Sequence, residues 1–211
     1  MSKPLCLGVL VSGQGTNLQA IIDACERKEI NAYVGVVISN KPNAYALQRA
    51  KKHGIPNYVI LRKDYPSQLE YEKAMVEILK AHEVELVVLA GFMKILSSYF
   101  IECFRNRIIN IHPSLIPAFC GKGFYGMKVH EAVIEYGVKV TGATVHFVDE
   151  NVDAGPIILQ EPVFVDQNDT PETLAQKVHE VEHKLLVKAI KLLSENKVEI
   201  VGRRVIIKEG E

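Results

Sequence analysis

The chain has 211 residues, and its 25 lysines and arginines cancel its 25 aspartates and glutamates, leaving no formal net charge at neutral pH. Neither sign forms a long block, so the electrostatic footprint of a nucleic-acid binder is missing and a small-molecule partner is favoured. A hydrophobic share of 48% can bury a full core without disulfides, and the four cysteines, Cys6, Cys25, Cys103 and Cys120, lie far apart with no C-x-x-C, which argues against a disulfide framework or zinc ribbon and for reduced thiols in a cytoplasmic protein.

The first apolar run, Leu5 to Val11, is far shorter than the ~20 residues of a membrane helix, and no cleavage-site pattern follows it, so nothing in it directs export. It is continuously apolar, as in strands buried on both faces, and Ser12-Gly13-Gln14-Gly15-Thr16-Asn17 follows at once. A helix then begins, with Leu18, Ile21, Ile22 and Cys25 as its apolar face. A strand through Tyr33–Ile38, a helix through Ala44–His53 with Gly54 at its C-terminus, and a strand through Tyr58–Leu61 come next. Ser67 and Glu70 have capping-box spacing, and Leu69, Met75, Ile78 and Leu79 give the following helix its stripe. Leu86–Gly91 is another buried strand.

Ile108 to Pro117 is an apolar, β-branched run that carries Asn110 and His112 and is stopped by proline, the end of a strand opening into a loop. Side chains two apart on a strand point the same way, so an amide and a titratable ring would share one site. Together they could stabilise an oxyanion growing on a carbonyl, which suits acyl transfer. A capped turn with a hydrogen-bonded surface histidine fits the same residues.

Beyond Pro117, three glycines in Cys120–Gly126 make a mobile loop or lid plausible. A helix near Val129–Tyr136, a strand at Ala143–Val148, a polar loop at Asp149–Pro156, and strand segments at Ile157–Gln160 and Val163–Val165 follow. Thr170-Pro171 opens a long helix that lasts to Leu193, and Val198–Val201 with Val205–Lys208 forms a hairpin around Gly202-Arg203. Strands alternating with helices across short connections indicate an α/β doubly wound fold with a mostly parallel sheet covered on both faces. Ligands in such folds bind outside the carboxyl ends of the strands, where Ser12–Asn17, Gly91–Leu96 and Asn110–Ser114 would emerge.

The glycine loop lies between a strand and a helix, so its backbone N–H groups and the helix N-terminus could hold an anion. It lacks the third glycine and the distal acidic residue of a dinucleotide fingerprint, and the Lys-Ser/Thr of a triphosphate loop; a phosphate monoester or a purely structural turn remains. His179-Glu180-Val181-Glu182-His183 matches the H-x-x-E-H pattern of some zinc peptidases, yet no obvious third ligand accompanies it and an exposed helical face explains it equally well. His146 reads as a satisfied core histidine. Asp153 would alone be a turn residue, but beside His112 a carboxylate would favour the charged imidazole and hold the ring in place.

On Val11–Asn17, Leu89–Leu96, Asn110-Ile111-His112-Pro113-Ser114-Leu115, and Gly142–Val148 through Asp153-Ala154-Gly155-Pro156, the chain resembles the phosphoribosylglycinamide formyltransferase family across essentially its whole length. The resemblance implies one Rossmann-like formyltransferase domain over residues 1–211, with a phosphate-binding half at 1–105 and a folate and catalytic half at 106–211 that includes the C-terminal helix. It implies formyl transfer from 10-formyltetrahydrofolate to the amino group of N1-(5-phospho-ribosyl)glycinamide in purine synthesis, without a metal. Asn110, His112 and Asp153 fall on the catalytic trio. Gly13, Gln14, Gly15, Thr16 and Asn17 fall on the ribonucleotide-phosphate loop, Glu182 on the residue that holds the ribose, and His179 near the same phosphate. Gln68, Met93, Lys94, Ile95, Leu96 and Asn110, with Asp149, Glu150, Asn151, Val152 and Asp153, fall on the folate pocket. Gln68 and Lys94 stand where relatives commonly carry arginine, and Gly121–Gly126 departs from the commoner loop. The implied partners are small molecules, with no nucleic acid or membrane, in a cytoplasmic monomer or homodimer. A formyltetrahydrofolate hydrolase or a tRNA-directed formyltransferase would share the trio; a phosphate-ligand sensor on the same fold is the non-catalytic rival.

Overall fold

The computed structural model describes residues 3–208. It divides into two compact units, Met1–Ile109 and Asn110–Glu211.

In the first unit, β1 (Leu5–Val11), β2 (Ala32–Ser39), β3 (Asn57–Val59) and β4 (Leu86–Leu89) take the order β3-β2-β1-β4. β1 pairs in parallel with β2 and β4, and β2 with β3. Residues 6–11 of β1 are all buried, as an uninterrupted apolar strand requires when water is excluded from both its faces. The helices are α1 (Thr16–Glu26), α2 (Tyr45–Lys52), α3 (Gln68–Ala81) and α4 (Ser98–Cys103). Ser67 caps α3 through its Oγ, which accepts from the Glu70 N–H at 3.1 Å.

Local differences from expectation have local causes. β3 ends at Val59, and a 3-10 turn occupies Arg62–Asp64; Tyr58 and Val59 are exposed, as on a sheet edge. Leu69, expected in the buried stripe of α3, is exposed, and the inward face instead carries Tyr71, Glu72, Met75, Val76 and Leu79. α4 has six residues, too few for periodicity to reveal, and buries Phe100 and Ile101.

β5 (Ile108–His112) begins in the first unit and ends in the second. The second unit continues with α5 (Met127–Tyr136), β6 (Val140–Phe147), β7 (Ile157–Phe164), α6 (Pro171–Ser194), β8 (Val198–Val201) and β9 (Arg204–Ile207), in the strand order β5-β6-β7-β9-β8. β6 and β7 are antiparallel, as are β8 and β9, while β7 and β9 are parallel. The two segments expected at Ile157–Gln160 and Val163–Val165 are one strand, with Pro162 opposite Gly142. A Cβ on Gly142 would lie 2.1 Å from the Glu161 carbonyl oxygen, so glycine is what lets the strands meet there. Thr170 and Thr173 form a reciprocal cap at the start of α6, with Pro171 in its first turn. The α/β class read from the sequence stands. No helix among the described residues is long and apolar enough to cross a membrane.

Candidate active site

β5 delivers Asn110 and His112 in the alternation that a strand imposes, and both side chains reach one cluster in the second unit. His112 is 4% exposed. Its Nε2 lies 2.8 Å from the carbonyl oxygen of Phe119. A carbonyl only accepts, so that nitrogen carries its hydrogen. Its Nδ1 lies 3.6 Å from Oδ2 of Asp153, an ion-pair distance just beyond a hydrogen bond. Acceptors therefore face both ring nitrogens.

Asn110 Nδ2 is 3.2 Å from Nε2 of His146, whose Nδ1 lies 2.8 Å from the Phe147 carbonyl oxygen. Burial holds the His146 pKa below the ordinary histidine value, against the opposing pull of that backbone contact and of Asp153. The ring is neutral, with its proton on Nδ1 facing the carbonyl, and Nε2 accepts from the Asn110 amide. The expected satisfied core histidine is thus also the group that orients Asn110, and Asp153 Oδ1 lies 3.9 Å from its Nε2.

Asp153 occupies the polar loop after β6 at a φ of 53°, a left-handed conformation that aspartate tolerates better than most residues. Its Oδ2 accepts from the Gly121 N–H at 2.9 Å. Asp149 Oδ1 accepts from the Asn151 N–H at 2.9 Å, a turn that shapes the Asp149–Asp153 segment and leaves Glu150 and Val152 exposed. The glycine-rich loop after Pro117 thus touches His112 and Asp153 through backbone groups, the Phe119 C=O and the Gly121 N–H. Cys120, between them, has its thiol pKa pushed up by burial and by Asp153, which keeps it a protonated, poor nucleophile.

On α6, His179 and Glu182 meet at 2.6 Å, and this bond raises the histidine pKa. Glu182 is buried. His183, the other histidine of the H-x-x-E-H pattern, has a buried Nε2 without a partner, and burial lowers its pKa. Among the described residues no three His, Cys, Asp or Glu side chains are placed to share an ion. His130 on α5, within the helix expected near Val129–Tyr136, lies edge-on to His179 with ring centroids 6.1 Å apart. It is 1% exposed, and burial, with His179 and His112 nearby, lowers its pKa to about 4.

In the first unit, the glycine loop runs from the end of β1 into α1. Gly15 caps the helix at a φ of 73°, and a Cβ there would lie 2.5 Å from that of Ala46, so both conformation and space demand glycine. No side chain caps this helix, and no acidic residue stands in its first turn. Its leading N–H groups and the positive end of its dipole remain available to an anion. α2 holds the loop: the Ala46 N–H donates to the Gly13 carbonyl at 3.1 Å, and Arg49 Nε donates to the Gln14 carbonyl at 2.8 Å. Arg49 adds a positive charge that no sequence motif announced. The Asn17 Oδ1 is buried without a partner.

The Gly91–Leu96 segment meets the glycine loop through Ser12, whose Oγ accepts from the Met93 N–H at 2.8 Å. Met93 and Ile95 are exposed although apolar. Gln68 is turned to Glu72, its Nε2 donating at 2.8 Å. The second unit gathers Asn110, His112 and Asp153, with Asp149–Val152 leading into Asp153, and pairs His179 with Glu182. The first joins Gly13–Asn17 to Met93–Leu96 through Ser12.

The profile of the family described as formyl transferase matches residues 7–190. A phosphoribosylglycinamide formyltransferase of Haemophilus influenzae is 43% identical over 194 residues, covering 92% of this chain and 89% of that protein. The trifunctional purine biosynthetic protein adenosine-3 of Gallus gallus is 44% identical over 194 residues, and there the match covers 92% of this chain but only 19% of the longer protein. The chain therefore spans between about a seventh and a fifth of the length of the trifunctional relatives it matches. Among solved structures, glycinamide ribonucleotide transformylase 1 of Symbiobacterium toebii superposes with a TM-score of 0.94 at 44% identity, over 99% of this chain and 96% of the other.

Proposed function

The chain belongs to the formyl transferase family, and from that premise we propose that it is a phosphoribosylglycinamide formyltransferase, moving formyl from 10-formyltetrahydrofolate to the amino group of N1-(5-phospho-ribosyl)glycinamide. The neutral amine attacks the formyl carbon, a C–N bond forms, and the carbonyl electron pair moves onto oxygen. Asn110, through Nδ2, and protonated His112 stabilise that oxyanion, and Asp153 supports the imidazolium. Collapse of the intermediate breaks the bond to the folate nitrogen, which takes up the proton released by the attacking amine. Products are the formylated amide and tetrahydrofolate.

The observation that carries this reading is the position of His112 between two acceptors with Asn110 fixed beside it. The His112 Nε2–H is engaged by the Phe119 carbonyl, so reaching an oxyanion requires that carbonyl to give way, a movement suited to a glycine-rich loop. Gly13–Asn17 would take the phosphate, Glu182 the ribose, with His179 near that phosphate. The backbone of Met93–Leu96, exposed at Met93, Lys94 and Ile95, and Asp149–Asp153 would take the folate. We further infer a single formyltransferase domain acting in the cytoplasm on small molecules, as a monomer or homodimer.

The test is a two-substrate assay that follows folate absorbance, run with and without a chelator. Transfer that needs both substrates and ignores the chelator is the expected result. Formyl release without the amine would mean a hydrolase, and binding without turnover a sensor.

A further inference from the structure

Between Met93 and Ser97 the chain crosses a stretch, exposed at Met93, Lys94 and Ile95, that is tied down at both ends by side chains from other elements. At the near end, Ser12 is 4% exposed; its Oγ accepts from the Met93 N–H at 2.8 Å and donates to Asn40 Oδ1 at 2.7 Å. At the far end, Glu72 on α3 is 0% exposed. Its Oε1 accepts from the Ser97 N–H at 2.8 Å and from Gln68 Nε2 at 2.8 Å, and its Oε2 accepts from the Ser97 hydroxyl. A buried carboxyl group is costly unless its acceptors are filled, and here three donors fill them. Two of those donors belong to Ser97, which both closes the segment and stands at the N-cap position of α4.

Between the pins, Met93 is 44% and Ile95 64% exposed. Among the described residues, the backbone of Lys94, Ile95 and Leu96 takes no part in a hydrogen bond. Three consecutive peptide units with free donors and acceptors would ordinarily relax into a turn or fluctuate. Hydrogen bonds at both ends restrict that freedom, and preorganised backbone groups bind a heterocycle without the cost of ordering a loop.

We propose that Ser12 and Glu72 are positioning residues for the folate co-substrate: they clamp the 93–97 segment from both ends so that its backbone is preset to read the ring system. The proposal rests on the folate-dependent reading above. It also gives Gln68 a role other than direct contact, since its amide fills the acceptor of Glu72 that the Ser97 N–H shares, and it explains why arginine is not needed at that position for the segment to hold its shape. Because Ser12 also precedes Gly13, one end of the clamp is fastened to the start of the glycine loop.

The experiment compares Glu72→Gln, Ser97→Ala and Ser12→Ala with the parent protein by hydrogen exchange and by equilibrium binding of tetrahydrofolate. Glu72→Gln keeps the volume but gives up one of the acceptor oxygens. Ser97→Ala removes only the hydroxyl bond, so it reports even if the glutamate variant does not fold. The expected results are at least tenfold faster exchange of the Ser97 amide in Glu72→Gln and of the Met93 amide in Ser12→Ala, with tetrahydrofolate affinity reduced at least fivefold. KM for the ribonucleotide should stay within twofold in Glu72→Gln and Ser97→Ala. Unchanged exchange, or equal weakening of both substrates, overturns the clamp. Faster exchange with unchanged folate affinity overturns its role in folate binding. If the parent protein itself binds no tetrahydrofolate, the functional reading fails, while the exchange result still judges whether the clamp exists.

Discussion

Asn110 and His146 are joined by a hydrogen bond whose direction is forced by a third group. The His146 Nδ1 faces the Phe147 carbonyl at 2.8 Å, so Nε2 can only accept, and it accepts from the Asn110 amide at 3.2 Å. That fixes which end of the carboxamide presents its donors. His146→Leu removes the acceptor and lets the amide rotate. Formyl transfer in single turnover should fall by about tenfold, the worth of one hydrogen bond of ordinary strength, with tetrahydrofolate binding unchanged. A rate equal to the parent's would show that Asn110 orients itself without help.

His112→Ala should cost ~10²–10³ in turnover, as loss of an oxyanion donor typically does, while folate still binds. Asp153→Asn should lower turnover with little change in either KM, because an amide oxygen can still accept from the Gly121 N–H but the charge beside His112 is gone. Asp153→Ala should add a second effect, freeing the Gly121 amide, which lies 2.9 Å from the carboxylate. Faster hydrogen exchange at Gly121 in the alanine variant alone would separate the two roles.

Stability should fall as pH drops from about 6.5 toward 4. The pKa of His130 is lowered from 6.5 to about 4 by burial, so between those values the unfolded chain binds a proton that the folded chain does not, and acid favours unfolding. The full loss from this residue is roughly 3 kcal/mol. His146 and His183, also lowered by burial, act in the same direction. His179 has the opposite sign: Glu182 raises its pKa, so its contribution is complete below the unfolded value and disappears as pH rises through the folded one. Urea midpoints measured from pH 7.5 to 4.5 should show a slope that flattens in His130→Leu, and an unaltered slope would count against the assignment.

Gly155→Ala should destabilise the loop that carries Asp153. A Cβ at this position would stand 1.8 Å from the Phe147 carbonyl oxygen, a backbone atom that cannot step aside cheaply. The expected cost is at least ~1–3 kcal/mol, with activity lost faster than global stability as Asp153 is displaced. A Tm and a turnover rate both matching the parent's would contradict the close approach.

Much of the fold was legible because periodicity reports burial. The uninterrupted run Leu5–Val11 is β1 to the residue, and the Thr170-Pro171 signature marks the start of α6. Where prediction failed, the deciding contact was distant in sequence. Leu69 is apolar but exposed, while Glu72 is charged but buried, because Ser97, 25 residues away, supplies donors to that carboxyl group. Pro162 should have broken a strand, and Gly142 across the ladder lets it stay.

The candidate site divides in the same way. From the sequence alone came the α/β alternation, the glycine loop between a strand and a helix, and the shared side of Asn110 and His112, because each follows from geometry repeating over neighbouring residues. Family membership is likewise written in the order of the motifs. The tertiary structure decided that Asp153 lies beside the His112 ring, that His146 orients the Asn110 amide, that backbone groups of the 119–121 loop touch both His112 and Asp153, and that His130 lies beside His179. Hydrogen bonds depend on distance and direction in space, and nothing in local periodicity encodes where a loop some forty residues further along the chain will bring its carboxylate.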